Sequence, residues 1–419
     1  MLRNYLIVAW KVLLRRKFFT FASLFGVAIT LMVLLVAVAM LDHVFAPHSP
    51  EVHGDRTLGV YAISMKGEHF ENTSPPGYGF LSGYVLPLAA MPRVEAVSIV
   101  SQPEQVVSYD RGRRISSYLR RTDATFWRMM EFRFLEGGAF SEVDAAQGRF
   151  VAVINESTRT RYFGEGKTAL GRIITVENEG FRVVGVVEDV PLVRINSMAD
   201  VWVPIRTQAS SHYEHSFAGG FFGLILARDR ADFDAIKSEL TAQNRKAEKN
   251  LPDPKNYQHF SASADTVFDS IAREIFSSQE QNAPAGRLKL AMVILGFLFV
   301  LLPTVNLVNI NLSRILERSS EIGVRKAFGA SSRTLVGQFI VENLILTLLG
   351  GVLGLLMAAG ALALVNASEL VPYSDFSINA RVFGYGLGLA VLFGVFSGVY
   401  PAWRMSRLHP VQALQGRTS

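Results

Sequence analysis

Cysteine is absent from all 419 residues, which removes disulfide stapling, thiol catalysis and cysteine-ligated metal centres at once. Charge is scarce too, at 19% against 49% hydrophobic residues, a balance that excludes a simple soluble enzyme. No Gly-x-Ser-x-Gly elbow occurs, and no spacing singles out a paired general acid and base. His43, His48 and His53 recur every five residues and His69 follows. That spacing suits neither a helical metal pair nor a zincin, so they read as solvated linker residues. Gly164-Glu165-Gly166-Lys167-Thr168 ends like a phosphate-binding loop, but the glycine required five residues before Gly166 is Arg161. It reads as a glycine-bearing turn between a helix and a strand. The chain is expected to hold no catalytic residue, no cofactor and no metal of its own.

What it does hold is four long apolar runs, at residues 18–41, 290–312, 335–365 and 382–403. A bilayer core of ~30 Å needs about 20 helical residues, so each run is long enough to span. The first exceeds the ~7 to 15 residues of a signal-peptide core and reads as an uncleaved anchor. Basic residues close to a membrane stay on the cytoplasmic side. Residues 1–17, 313–334 and 404–419 carry 13 Lys/Arg against two acids, Glu317 and Glu321. Both termini and the 313–334 loop are therefore expected inside, with residues 42–289 as a large outer domain and 366–381 as a short outer loop. The sequence pI near 9.5 is then a topology signal, and no nucleic-acid partner is implied. Residues 1–17 read as an amphipathic helix on the inner leaflet, its Arg15-Arg16-Lys17 end held by membrane lipid.

Period-two and β-branched runs predict strands at 57–64, 94–101, 149–155, 171–177, 181–189 and 221–228. Helices are predicted at 156–163, 231–249 and 265–276, and loops at 72–79 and 277–285. The fold class expected is a membrane protein of four transmembrane α-helices, with a large two-lobed α+β extracytoplasmic domain between the first and second spans.

The inner loop reads Glu317-Arg318-Ser319-Ser320-Glu321-Ile322-Gly323-Val324-Arg325-Lys326-Ala327-Phe328-Gly329-Ala330. On a helix, Glu317 and Glu321, and Glu321 and Arg325, fall four residues apart and share a face. Ile322, Ala327 and Phe328 add apolar knobs, and Gly329 is a helix stop. A short amphipathic element of this kind fits a partner's groove or lies on lipid. Elsewhere Gly350-x-x-x-Gly354, Gly384-x-x-x-Gly388 and Gly394-x-x-x-Gly398 place small residues where helices can pack closely. Pro303 is expected to kink the second span. Glu342 is placed at the cytoplasmic interface, within reach of an ion pair with Arg318 or Arg325.

The inner-loop run resembles the coupling region of the MacB/FtsX-type ABC transporter permeases, whose members carry Glu-Arg-x-x-Glu-Ile-Gly, a basic pair and Ala-x-Gly-Ala. Asn309, Gln338-Phe339, Glu342, Gly350-Gly351-x-x-Gly354 and the tail Tyr400-Pro401-Ala402-Trp403-Arg404, Arg407-Leu408-His409-Pro410, Ala413-Leu414 are similar to the family's permease domain. Residues 149–155, Tyr162-Phe163-Gly164, Leu170-Gly171 and Val183-Val184-Gly185-Val186 resemble its outer core domain. The likeness is weakest over 42–120 and 205–285. It implies a non-catalytic permease subunit in the bacterial inner membrane, with ATP and Mg bound by a partner ATPase dimer docked on residues 317–330. It also implies a second permease copy or paralogue, an outer domain with an inserted lobe near 105–215, and force carried across the membrane by the spans. Efflux of drugs, peptides or other amphiphiles, with a periplasmic adaptor and an outer-membrane channel, is the leading expectation. FtsX-like signalling to a cell-envelope partner and lipoprotein release are the alternatives.

Overall fold

The computed structural model describes residues 17–395, apart from 70, 111, 279–282, 318–323, 325–327, 329–330, 369–371, 375, 379, 390 and 393–394. The expected inner-leaflet helix before Lys17 and the closing motif after residue 395 lie outside the described residues. Two compact units form. One gathers the described parts of 1–43, 289–370 and 376–419, and the other takes 44–288 with 371–375.

Helix α1 runs Lys17–Phe45, in the first unit up to His43. Among the described residues two helices are long and apolar enough to cross a membrane, over Thr20–Phe45 and Val336–Ala367, with mean hydropathies of 2.8 and 2.4. A third long helix, Ala285–Glu317, continues through Pro303. The last expected span is described only as helical residues 380–389, 391–392 and 395.

The outer unit follows the chain as strands β1 (Thr57–Val60), β2 (Ile63–Lys66), β3 (Glu71–Ser74), β4 (Val94–Ser101), β5 (Glu104–Asp110) and β6 (Arg113–Thr122). After helix α2 (Ala124–Met129) come β7 (Phe134–Gly137), α3 (Glu142–Gln147), β8 (Val151–Asn155) and α4 (Glu156–Phe163). Then β9 (Ile173–Val176), β10 (Glu179–Val187), β11 (Val201–Pro204), β12 (Phe221–Ala227), α5 (Phe233–Glu248), β13 (His259–Ala262) and α6 (Val267–Ile275) complete it. The remaining long helices are α7 (Ala285–Glu317) and α8 (Ser332–Ala367).

Ten strands form one sheet in the order β1-β12-β4-β6-β11-β8-β10-β7, with β5 on β6 and β9 on β10; β13-β2-β3 form a second. The β8–β10 and β6–β11 pairs are parallel and the rest antiparallel, so the domain is α+β as expected. One apolar core is built only from residues 106–203, and another from 58–99 and 205–264. A third core joins Val100, Phe222, Leu224 and Leu226 to residues 126–202, and the large sheet runs through all of these segments without a break.

Several expectations change. The strand expected over 57–64 breaks at Tyr61-Ala62, because Tyr61 turns its phenol to Asn196 Oδ1 at 2.9 Å. β1 then joins the large sheet and β2 the small one. The loop expected over 72–79 instead starts as strand β3. Its polar, mostly exposed residues give no alternation to read.

Within the helical unit, the most buried positions of α1 include Ser23, Val27, Leu31, Leu35 and Ala39, spaced by four. On α8, Leu346, Gly350, Gly354, Ala358 and Leu362 are buried with the same spacing. Ridges of that pitch interlock when the seam residues are small. A Cβ on Gly350 would lie 2.8 Å from Val27 Cγ1, and one on Gly354 would lie 2.8 Å from the Ala28 carbonyl oxygen. The second motif is corrected: Gly384 and Gly388 face open space, and it is Gly386 that meets Leu35. Glu342 is buried, as are its near neighbours Asn343 and Thr347, and Arg318 and Arg325 lie outside the described residues. Gly354→Leu is expected to force α1 and α8 apart at a backbone contact that cannot yield, costing about 2 kcal/mol. Gly360→Leu, where nothing lies within 4 Å, serves as control. Thermal melting of the two variants in detergent checks this; equal midpoints would reject the seam.

Candidate functional site

Two groups of residues stand out, one between the long helices and one in the outer unit. In the first, Glu317 is the last residue of α7 and Val324 is again helical. The Phe328 N–H donates to the Val324 carbonyl at 3.0 Å. Ser331 then caps α8, its hydroxyl accepting from the Thr334 N–H. Phe328 is 89% exposed and Val324 43%. The other members of the predicted coupling set, Arg318, Glu321, Ile322, Gly323, Arg325, Lys326, Ala327, Gly329 and Ala330, lie outside the described residues. Among the described residues Phe328 is thus a large apolar side chain left exposed.

The second group was not legible in the sequence. It is centred on the connection from β10 to β11, where Arg194, Asn196, Ser197 and Asp200 are all buried. Arg194 Nη1 donates to the Ala46 carbonyl at 3.0 Å. Glu51 Oε1 accepts from the Asn196 N–H at 3.1 Å and from Ser197 Oγ at 2.7 Å. Ala46 and Glu51 belong to the stretch that leaves α1. That stretch is held further by Ser49 Oγ donating to the Glu131 carbonyl and the Glu131 N–H donating to the Pro50 carbonyl, both at 2.9 Å.

The connection itself is stiffened from below. Arg120, fully buried on β6, donates to the carbonyls of Ile195 (2.8 Å) and Asn196, and Trp202 Nε1 donates to the Ser197 carbonyl at 3.1 Å. Three successive loop carbonyls are thus satisfied by side chains, which is how an irregular segment can be buried. Burial pulls the Arg120 guanidinium down to about 10, against the opposing influence of Glu51 and Tyr61. Burial likewise pushes the Tyr61 phenol up, with the Glu51 charge acting in the same direction.

At the far end of the connection, Asp200 collects four donors. The Tyr118 N–H reaches Oδ2 at 2.8 Å, while Asn155 Nδ2 (2.9 Å), Arg161 Nη2 (3.1 Å) and Tyr373 Oη (2.9 Å) reach Oδ1. Tyr373 comes from the short loop after α8, and its backbone sits at φ 60°, a left-handed conformation uncommon outside glycine. The base of that loop is closed by Asn366, whose side-chain amide exchanges two 3.0 Å bonds with the Phe376 backbone. Burial raises the Tyr373 phenol pKa, helped by the Asp200 charge, so it stays a donor at neutral pH. Arg194, Glu51 and Asp200 thus tie the stretch after α1 and the loop after α8 to the connection from β10 to β11, a joint of three chain segments.

Gly164 and Gly166 adopt φ values of 92° and 68° in the turn after α4. His53 pairs with Glu131 at 3.2 Å. Among the described residues no cluster of three metal-binding side chains forms.

Comparison with known proteins adds to this geometry. A model of the MacB-like periplasmic core domain matches residues 20–243, more than half of the chain. A model of the FtsX-like permease C-terminal domain matches residues 293–410. The pyoverdine export ATP-binding/permease protein PvdT of Pseudomonas syringae pv. syringae (strain B728a) is 26% identical over 410 residues, covering 97% of this chain and 58% of that protein. The macrolide export ATP-binding/permease protein MacB of Bdellovibrio bacteriovorus is 26% identical over 280 residues, covering 67% and 41%. The chain therefore spans little more than half the length of these curated relatives. The crystal structure of the periplasmic region of MacB from Actinobacillus actinomycetemcomitans aligns with 54% of this chain and 95% of its own, at 16% identity and a TM-score of 0.38. With a MacB-like periplasmic core domain followed in order by an FtsX-like permease domain, the chain belongs to the MacB/FtsX family of ABC transporter permeases.

Proposed function

We propose that this chain is the permease part of an ABC exporter in the bacterial inner membrane, moving its outer domain with energy from ATP hydrolysed outside these 419 residues. The observation that carries the reading is the 410-residue alignment with a permease named for export, which takes in both the outer domain and the long helices. Four helices would cross the membrane, with both termini and the 313–334 loop on the cytoplasmic side, as the basic residues require. Residues 317–330 would dock on an ATPase that binds ATP and Mg, with Phe328 as the apolar anchor. A second permease copy or paralogue would complete the assembly, and a periplasmic adaptor with an outer-membrane channel would carry the exported molecule onward.

The joint at 194–200 supports a mechanical role. Force in the first helix would reach it through Ala46 and Glu51, and force in the third and fourth through Tyr373. No site for bond-making is needed in such a device. To test the reading, Glu321→Lys is introduced into the chain reconstituted with its ATPase. Permease-stimulated ATP hydrolysis should vanish while membrane insertion is kept; undiminished stimulation would reject the docking role.

A further inference from the structure

A cleft of about 510 Å³ opens in the outer unit between α6, the small sheet and the edge of the large sheet. Its apolar surface comes from Ile63, Ile195, Phe222 and Ile271, with Tyr61 edge-on to Phe222 at 5.2 Å. Gln102, Ser261 and Ser263 place an amide and two hydroxyls on its wall. The charged groups that line it are Asp265, Arg273 and Glu274. Arg273 is already committed: Nε and Nη2 clasp Asp265 at 2.8 and 3.2 Å, and Nη1 donates to the Ser278 carbonyl at 3.2 Å. Glu274 is exposed and leaves the lining with one net negative charge.

We infer that this cleft binds an amphiphile without negative charge, its apolar body on Phe222 and Ile195 and its hydroxyl or amide groups toward Gln102, Ser261 and Ser263. The volume falls within the ~300 to 1,000 Å³ usual for small-molecule sites. Among the described lining residues the one cation, Arg273, is held by Asp265, so an anion would face Glu274 with no new partner, whereas an uncharged molecule loses nothing there. Phe268 of α6, the helix that walls the cleft, packs edge-on against Phe45, the last residue of α1, at 5.2 Å. Two lining residues also belong to the joint or touch it: Ile195 accepts from Arg120 through its carbonyl, and Tyr61 donates to Asn196. Occupancy would be felt where the helices connect to the domain. The inference rests on the export reading for its meaning, and it names the class of molecule exported.

The absence of cysteine makes the test direct. In the full chain in lipid nanodiscs, Ser263→Cys puts a single thiol in the cleft and Ser211→Cys puts one on an exposed segment that does not line it. Maleimide labelling is timed with N-phenyl-1-naphthylamine, which is uncharged, and with its anionic 8-sulfonate. At ten times its dissociation constant the uncharged probe should slow labelling of Ser263→Cys about tenfold by mass action, and the sulfonate should leave it unchanged. Neither probe should protect Ser211→Cys. Adding Ile271→Trp fills the cleft and should abolish protection; if that variant does not fold, the two thiols and two probes decide alone. Absence of protection, equal protection by both probes, or equal slowing at both thiols would overturn the inference. Binding with no ATPase stimulation would sink the export reading and leave the cleft, and the converse result would sink the cleft alone.

Discussion

Phe328→Asp is expected to weaken binding of the ATPase at least about 30-fold and to remove permease-stimulated hydrolysis. The side chain is 89% exposed, so in the isolated chain it contributes little, and melting should be unchanged within about 0.5 kcal/mol. Docked in an apolar groove, the same ring would contribute roughly 2 to 3 kcal/mol. A carboxylate there loses that contribution and adds desolvation, and 2 kcal/mol alone corresponds to about 30-fold in affinity. Phe328→Leu should keep most of the binding, because the groove would read volume and apolarity. If instead the segment rests on lipid, Phe328→Asp would lower its membrane partitioning and leave ATP hydrolysis untouched. A binding titration with the purified ATPase, beside a vesicle-partitioning assay, separates the two.

Much of the outer fold was legible because burial there writes itself as pattern. Val94–Ser101 and Glu156–Phe163 have the bounds that their sequences predict, the latter because Asn155 caps it by accepting from the Thr158 N–H. β6 escaped notice for the opposite reason. Its sequence, Arg113 to Thr122, is rich in arginine and serine, yet Arg120 and Arg121 are buried. Charge reads as surface until its partners are known. The joint was hidden in the same way, since Arg194, Asn196, Ser197 and Asp200 have the composition of a solvated loop, and only long-range partners such as Glu51 and Tyr373 show otherwise. Among the glycines, spacing reveals that a face is small but not which face meets a neighbour. Gly350 and Gly354 therefore lie at a seam, while Gly384 and Gly388 do not.

Tyr373→Phe should separate movement from stability at the joint. It deletes one hydrogen bond to Asp200, while Arg161, Asn155 and the Tyr118 N–H remain on that carboxylate. The outer domain should lose only about 1 kcal/mol. Asp200→Ala is the severe counterpart, stranding the Tyr118 backbone N–H and the buried Asn155 amide together. Its cost should be about 3 kcal/mol, a fall of roughly 6 to 12 °C in melting midpoint for a domain of this size. If Tyr373 carries motion between the loop after α8 and the outer sheet, weakening that link by 1 kcal/mol shifts the coupled equilibrium about fivefold. Export per ATP hydrolysed should then fall by about that factor, with ATPase affinity unchanged. A Tyr373→Phe protein that melts slightly earlier but exports at full efficiency would show that the bond only braces the fold. A protein with unaltered melting and a fivefold loss of coupling would place Tyr373 in the path of the force.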